Sequence, residues 1–255
     1  MPGGAGPLAD ASSIQVDVPT AKELIEQVHQ HVSVAELRAL VGELQVKARA
    51  LRSLLCGQEP DAASIRRALE WTFVSRRRAS AILGARGERE LAAWVGELLG
   101  GEEPRGRRLE RFCEHAGPLA PAAAAELGAE LLHFTDPDRH GLWTRWVWSS
   151  ESRTGALALL IGEEYELDGE SLGETYERVC EAIAVLDSSP EAASFSQPGS
   201  GRLGTDVLLA CTYGVYMRTV LGLKMTNEFN ALVPPMAQLA RRLLGTHHHR
   251  GEVSA

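Results

Sequence analysis

The stretch SVAELRALVGELQVKARALRSLL, residues 33–55, decides the fold. Val34, Leu37, Val41, Leu44, Ala48, Leu51 and Leu55 succeed one another in steps of three and four, the a and d positions of a heptad kept over three repeats. Leu40 and Leu54 add a flanking g row, so the apolar stripe is wider than a two-stranded coil needs. A stripe of that width suits a helix packed inside a bundle. A second copy of the chain is the other partner such a seam would accept. Ser33 and Glu36 have capping-box spacing and set where the helix begins.

Helical patterns extend on both sides. Residues 1–18, rich in Gly, Pro, Ala and Ser, read as a disordered lead. A box from Thr20 to Glu23 then opens a helix to about His31. Asp61 caps a helix predicted over 62–83, and further helices are predicted over 88–99 and near 107–115. Pro121 suits the first turn of a helix reaching Phe134. Another helix falls at 171–187, and the Ser-, Pro- and Gly-dense residues 188–204 read as a loop. The helix over 205–222 is so apolar that it must be buried on nearly all sides. Thr226 caps a short helix to Val233, and a last helix ends before Gly245. The segment 142–161 divides opinion: Trp143, Trp146 and Val147 have helical spacing, while the alternation around a Ser/Glu/Thr/Gly turn favours a small β-hairpin. The expected fold is mostly all-α: one bundle-like domain of eight to ten helices over 19–245, with a hairpin near 142–161, a subdivision point near 117–121 and a flexible tail at 246–255.

Composition narrows the class further. The chain has 255 residues, enough to bury a core without staples. Its four cysteines, Cys56, Cys113, Cys180 and Cys211, form no close pair, so they read as reduced, mostly buried thiols in a cytoplasm. The most apolar run, Val207 to Leu223, contains Arg218 and falls short of the ~20 residues a bilayer span needs. No phosphate-binding loop, dinucleotide fingerprint, nucleophile elbow, H-E-x-x-H or EF-hand loop occurs, and no motif indicates a cofactor.

The formal charge of −8 is spread unevenly. Residues 114–199 carry sixteen acidic and four basic groups, whereas 61–113 and 200–255 are each mildly basic. An acidic middle of this kind suits docking to a basic partner protein. The Arg66–Arg89 segment contains Arg76, Arg77 and Arg78, and nucleic-acid binding through it is a further alternative. Overall acidity and the lack of a recognisable module count against that alternative.

Chemistry, if present, is expected in residues 133–140. His133, Asp136, Asp138 and His140 place two imidazoles and two carboxylates within eight residues, enough for acid/base work or for a metal ligand set. The plainer reading makes Asp136 the N-cap of a new helix, with Pro137 in its first turn and Asp138 beside the positive dipole end. No spacing defines a metal site. Glu163, Glu164, Glu166, Asp168 and Glu170 form a second carboxylate group, read as a solvated loop. Trp143, Trp146, Tyr213, Tyr216, Asn227 and Glu228 are candidates to line a small-molecule pocket, with Trp148 and Asn230 close by. His247, His248 and His249 read as an adventitious chelator in the tail. The leading expectation is a non-catalytic accessory, assembly or regulatory protein that binds another protein. An enzyme built on the 133–140 cluster is the alternative.

Overall fold

The computed structural model describes residues 14–57, 60–73, 79–115, 119–195, 200–224 and 234–246. Eleven α-helices run through them: α1 (Val18–His31), α2 (Val34–Leu55), α3 (Ala62–Trp71), α4 (Ala79–Arg86), α5 (Glu88–Gly100), α6 (Arg105–His115), α7 (Pro121–Thr135), α8 (Leu172–Asp187), α9 (Pro190–Ala193), α10 (Leu203–Lys224) and α11 (Met236–Leu244). The protein is a mostly all-α, bundle-like assembly, as the heptad segment predicts. The span expected as one helix over 62–83 appears as α3 and α4, and the loop 188–204 contains the short α9. The helix expected from Thr226 to Val233, the histidines of the tail and residues 1–13 lie outside the described residues.

Local chemistry explains most helix starts. Ser33 Oγ accepts from Glu36 N–H while Glu36 Oε2 accepts from Ser33 N–H, so α2 has both halves of its capping box. Asp61 accepts from Ser64 N–H at the start of α3. α1 begins one turn before the expected box. Asp17 is its cap, taking Thr20 N–H and the Thr20 hydroxyl, with Pro19 in the first turn. Thr20 is therefore inside the helix. The chain is delivered extended to Asp17 because Val16 bridges Ile161 antiparallel.

α2 packs against α3, α7, α10 and α11. Leu37, Leu40, Val41, Leu44, Ala48, Leu51 and Leu55 are buried there, whereas Val34 at the first turn is 55% exposed. The seam is core within one chain. At the centre lies α7, buried on every face from Ala124 to Thr135. α10 is buried through Thr212, and from Tyr213 to Arg218 several side chains reach the surface, so burial on nearly all sides holds only for its first half.

α6 and α8 cross at their first turns. A Cβ on Gly106 would lie 2.4 Å from the Gly173 carbonyl oxygen, so only glycines allow this approach. Glu177 of α8 accepts from Gly106 N–H, and Glu110 of α6 accepts from Gly173 N–H, so each helix caps the other with a carboxylate.

The expected hairpin does not form. Among the described residues there is no strand, and 142–161 reverses through a single bridge, Ser149 to Thr154. Trp146, Val147 and Trp148 are all buried, so this segment has no solvent face for period-two alternation. It winds as a turn on the Thr144 carbonyl and re-enters through a 3-10 turn at Leu157–Leu159.

Leu44→Ala should lower stability by ~2–5 kcal/mol in chemical denaturation, the cost of a core cavity. Gly106→Ala should cost ~1–3 kcal/mol by forcing α6 from α8. A melting temperature unchanged by either variant would mean that the corresponding contact is absent.

Candidate functional site

Charge runs through the interior along α7. Glu126, Glu130 and His133 follow at steps of four and three, and each meets a partner from elsewhere in the chain. Lys47 of α2 and Glu130 form an ion pair with side chains 0% and 2% exposed. Lys47 Nζ also donates to the Leu244 carbonyl at 3.1 Å and lies 4.2 Å from the centre of the Phe134 ring. Glu130 additionally accepts from Phe73 N–H at 3.0 and 3.1 Å. Glu126 accepts from Arg145 N–H and from its guanidinium.

His133 and Asp206 are both 0% exposed, with Nε2 2.8 Å from Asp206 Oδ2. His133 Nδ1 lies 2.8 Å from the His140 carbonyl oxygen. A carbonyl only accepts, so Nδ1 carries a hydrogen and one further proton is held between Nε2 and Oδ2. Asp206 sits in the first turn of α10, where the helix dipole favours a carboxylate. Its Oδ1 has no partner among the described residues, and neither does the buried Thr212 hydroxyl.

The 133–140 cluster is thus taken apart. His133 points inward to Asp206, and only the backbone of His140 reaches it. Asp136 is the C-cap of α7, and no helix follows it, which corrects its expected role as an N-cap. Its carbonyl accepts from Arg139 and His140 N–H, one turn that stops at Gly141. It stops because Gly141 is seated on α8: a Cβ there would meet Ile183 at 2.8 Å, and Gly141 N–H donates to Cys180 Sγ. Asp138 lies against Gly201 in a cleft that also includes Arg49, Arg52 and the start of α10.

Around His140 the environment is cationic. Burial, reinforced by Arg108, Arg105 and Arg139, pushes its imidazole down to about 3. It is neutral at physiological pH, with a buried Nδ1 that has no partner among the described residues. Arg105 is committed to Glu177 and to the Arg139 carbonyl. Arg108 donates to the Leu98 and Leu99 carbonyls and so closes the end of α5. Tyr176, held well above its usual range chiefly by burial, donates to the Gly141 carbonyl.

The aromatic candidates fall into two groups. Trp146, Tyr213 and Tyr216 form a run, with ring centroids 6.3 and 5.9 Å apart, and Trp146 N–H donates to the Leu243 carbonyl. Trp143 belongs elsewhere. It stacks on Tyr176 and, with Trp148, lines a surface groove closed by Ala122, Ala125, Glu126 and Leu172. Asn227, Glu228 and Asn230 lie outside the described residues, as do Arg76, Arg77 and Arg78; Arg66, Arg67 and Arg89 are exposed. Among the described residues no cluster of three or more His, Cys, Asp or Glu side chains is placed to hold a metal ion. No helix there is long and apolar enough to cross a membrane.

Sequence reading passed over Lys47, Glu126, Glu130 and Asp206. A signal for Lys47 existed: it falls in the g row between Leu40 and Leu54, where the apolar stripe is widest. Nothing in the sequence pairs it with Glu130, eighty-three positions away. Comparison with family models, curated proteins and solved structures finds no match for this chain.

Two outcomes follow. Lys47→Met should cost ~3–5 kcal/mol because it strands a buried carboxylate. The Lys47→Met/Glu130→Leu pair should cost less than the two single changes added together, and strict additivity in urea titrations would show that the pair is not coupled. His140 binds fewer protons folded than unfolded between pH 6.5 and about 3. Its contribution is complete above pH 6.5 and is lost as pH falls through that window, by about 1.4 kcal/mol per pH unit at most. His140→Gln should flatten the acid limb of a pH–stability curve, and an unchanged slope contradicts the assignment.

Proposed function

We propose that this chain is a non-catalytic accessory protein of the cytoplasm that binds a basic partner protein through one acidic face. Charge placement carries the reading. Residues 161–187 hold nine acidic groups and one basic group. Glu166, Glu174 and Glu177 are neutralised by Arg153, Arg178 and Arg105. Glu163, Glu164 and Glu170 are exposed and have no ion-pair partner among the described residues. Unneutralised like charge on a rigid face repels itself and is relieved by a partner of opposite sign, which also speeds encounter. Four free thiols fit a reducing compartment. The alternative, an enzyme acting through 133–140, would require a histidine to meet a substrate, and His133 is wholly buried with both ring nitrogens engaged.

The test is a comparison of proteins captured from the native cell by the parent chain and by Glu163→Lys/Glu164→Lys/Glu170→Lys. The triple variant should melt like the parent, because none of the three side chains is engaged internally. It should lose a partner whose association with the parent slows as salt rises. Identical capture by both proteins removes this face from consideration.

A further inference from the structure

Beside the acidic face lies the groove of Trp143 and Trp148, and its chemistry is specific. The two are continuous: Trp148 N–H donates to Asp168 at 2.8 Å, and Leu172, the first residue of α8, forms part of the groove wall. Trp143 N–H donates to the Trp148 carbonyl. With both indole N–H groups engaged, neither ring offers a visitor a free donor. Ala122, Ala125 and Leu172 make the rest of the wall apolar.

Polar groups are few and unsaturated. Glu126 uses Oε1 for Arg145, and its Oε2 has no partner among the described residues. Thr144, 7% exposed, is a lining residue whose buried hydroxyl has no partner among the described residues. Among the lining side chains Glu126 and Glu151 outnumber Arg145, and just beyond them Glu166 and Asp168 are paired with Arg153.

A slot with aromatic and aliphatic walls, an open carboxylate oxygen and a negative rim suits a long apolar stem with a planar cationic head. We infer that this groove receives an arginine side chain of the basic partner, stacked on the indoles with its guanidinium donating to Glu126. The inference rests on the docking reading above and names its anchor. Lysine has the charge but not the plane. Citrulline has the plane but not the charge.

The probe is a short peptide, acetyl-Gly-Arg-Lys-Gly-Arg-amide, followed by the indole N–H resonances of the full chain. Trp143 and Trp148 should shift, and the other three tryptophans should not. Replacing both arginines by citrulline should abolish the shift, and replacing them by lysine should weaken it. Glu126→Gln should weaken binding about tenfold, the loss of one charge-assisted hydrogen bond. Ala122→Phe fills the groove from an exposed position, so it leaves the fold intact and should abolish the shift. A citrulline peptide that binds as well, or full binding by Ala122→Phe, overturns the arginine assignment. The two readings fail separately. If the Glu163/Glu164/Glu170 reversal abolishes partner capture and Ala122→Phe does not, the face stands and the groove falls. If the peptide shifts both indoles but the reversal leaves capture unchanged, the groove stands and the face falls.

Discussion

Lys47 is wholly withdrawn from water, and the interior is arranged around keeping its charge. Glu130 supplies the opposite charge, the Leu244 carbonyl a second acceptor and the Phe134 ring a polarisable face. Removing two ions from water costs several kcal/mol each, and attraction offsets that only where the geometry is complete. Here completion draws on four distant segments: α2, α7, the turn after α3 at Phe73, and the end of α11. The pair therefore acts as a registration device. Sliding α2 along α7 by one turn would leave both ions uncompensated, a larger penalty than any apolar mismatch at the same contact.

α7 carries the same logic along its length. It is buried on all faces, so Glu126, Glu130 and His133 must each find a partner from outside the helix, whereas the Thr135 hydroxyl donates to carbonyls of its own last turn. Glu126 fixes Arg145 and the turn that leads to the tryptophans, and His133 fixes both the start of α10 and the backbone at His140. The reversal at 142–161 is irregular in backbone but tied at Arg145 by Glu126, and Gly141 just before it is held by Cys180 and Tyr176. A groove built on a loop anchored in this way is preorganised, which lowers the entropic cost of closing on a ligand.

Charge is sorted by depth. Inside, among the described residues, Lys47 with Glu130 and His133 with Asp206 are matched across elements. Outside, between 161 and 187, acid exceeds base and several carboxylates face solvent unneutralised. The matched interior adds to the uniqueness of the fold, while the unmatched exterior supplies a long-range field, and only the second is available to a partner.

The sequence by itself determined the helices and most of their ends. Heptad spacing from Val34 to Leu55, the Ser33–Glu36 box, the Asp61 cap and Pro121 act over three or four residues, and such short-range physics is written locally. It also showed the acidic middle. Tertiary structure alone decided the rest. Asp136 could cap or end a helix, and the seating of Gly141 on α8 chose the end. Trp146, Val147 and Trp148 could alternate as a strand, and burial on both sides forbade it. Trp143 was expected near Tyr213, yet Tyr176 took it elsewhere. The buried pairs join residues 83 and 73 positions apart, and no local pattern specifies which lysine will meet which glutamate. That choice is made by the desolvation cost of leaving either one alone, which exists only once the helices have packed.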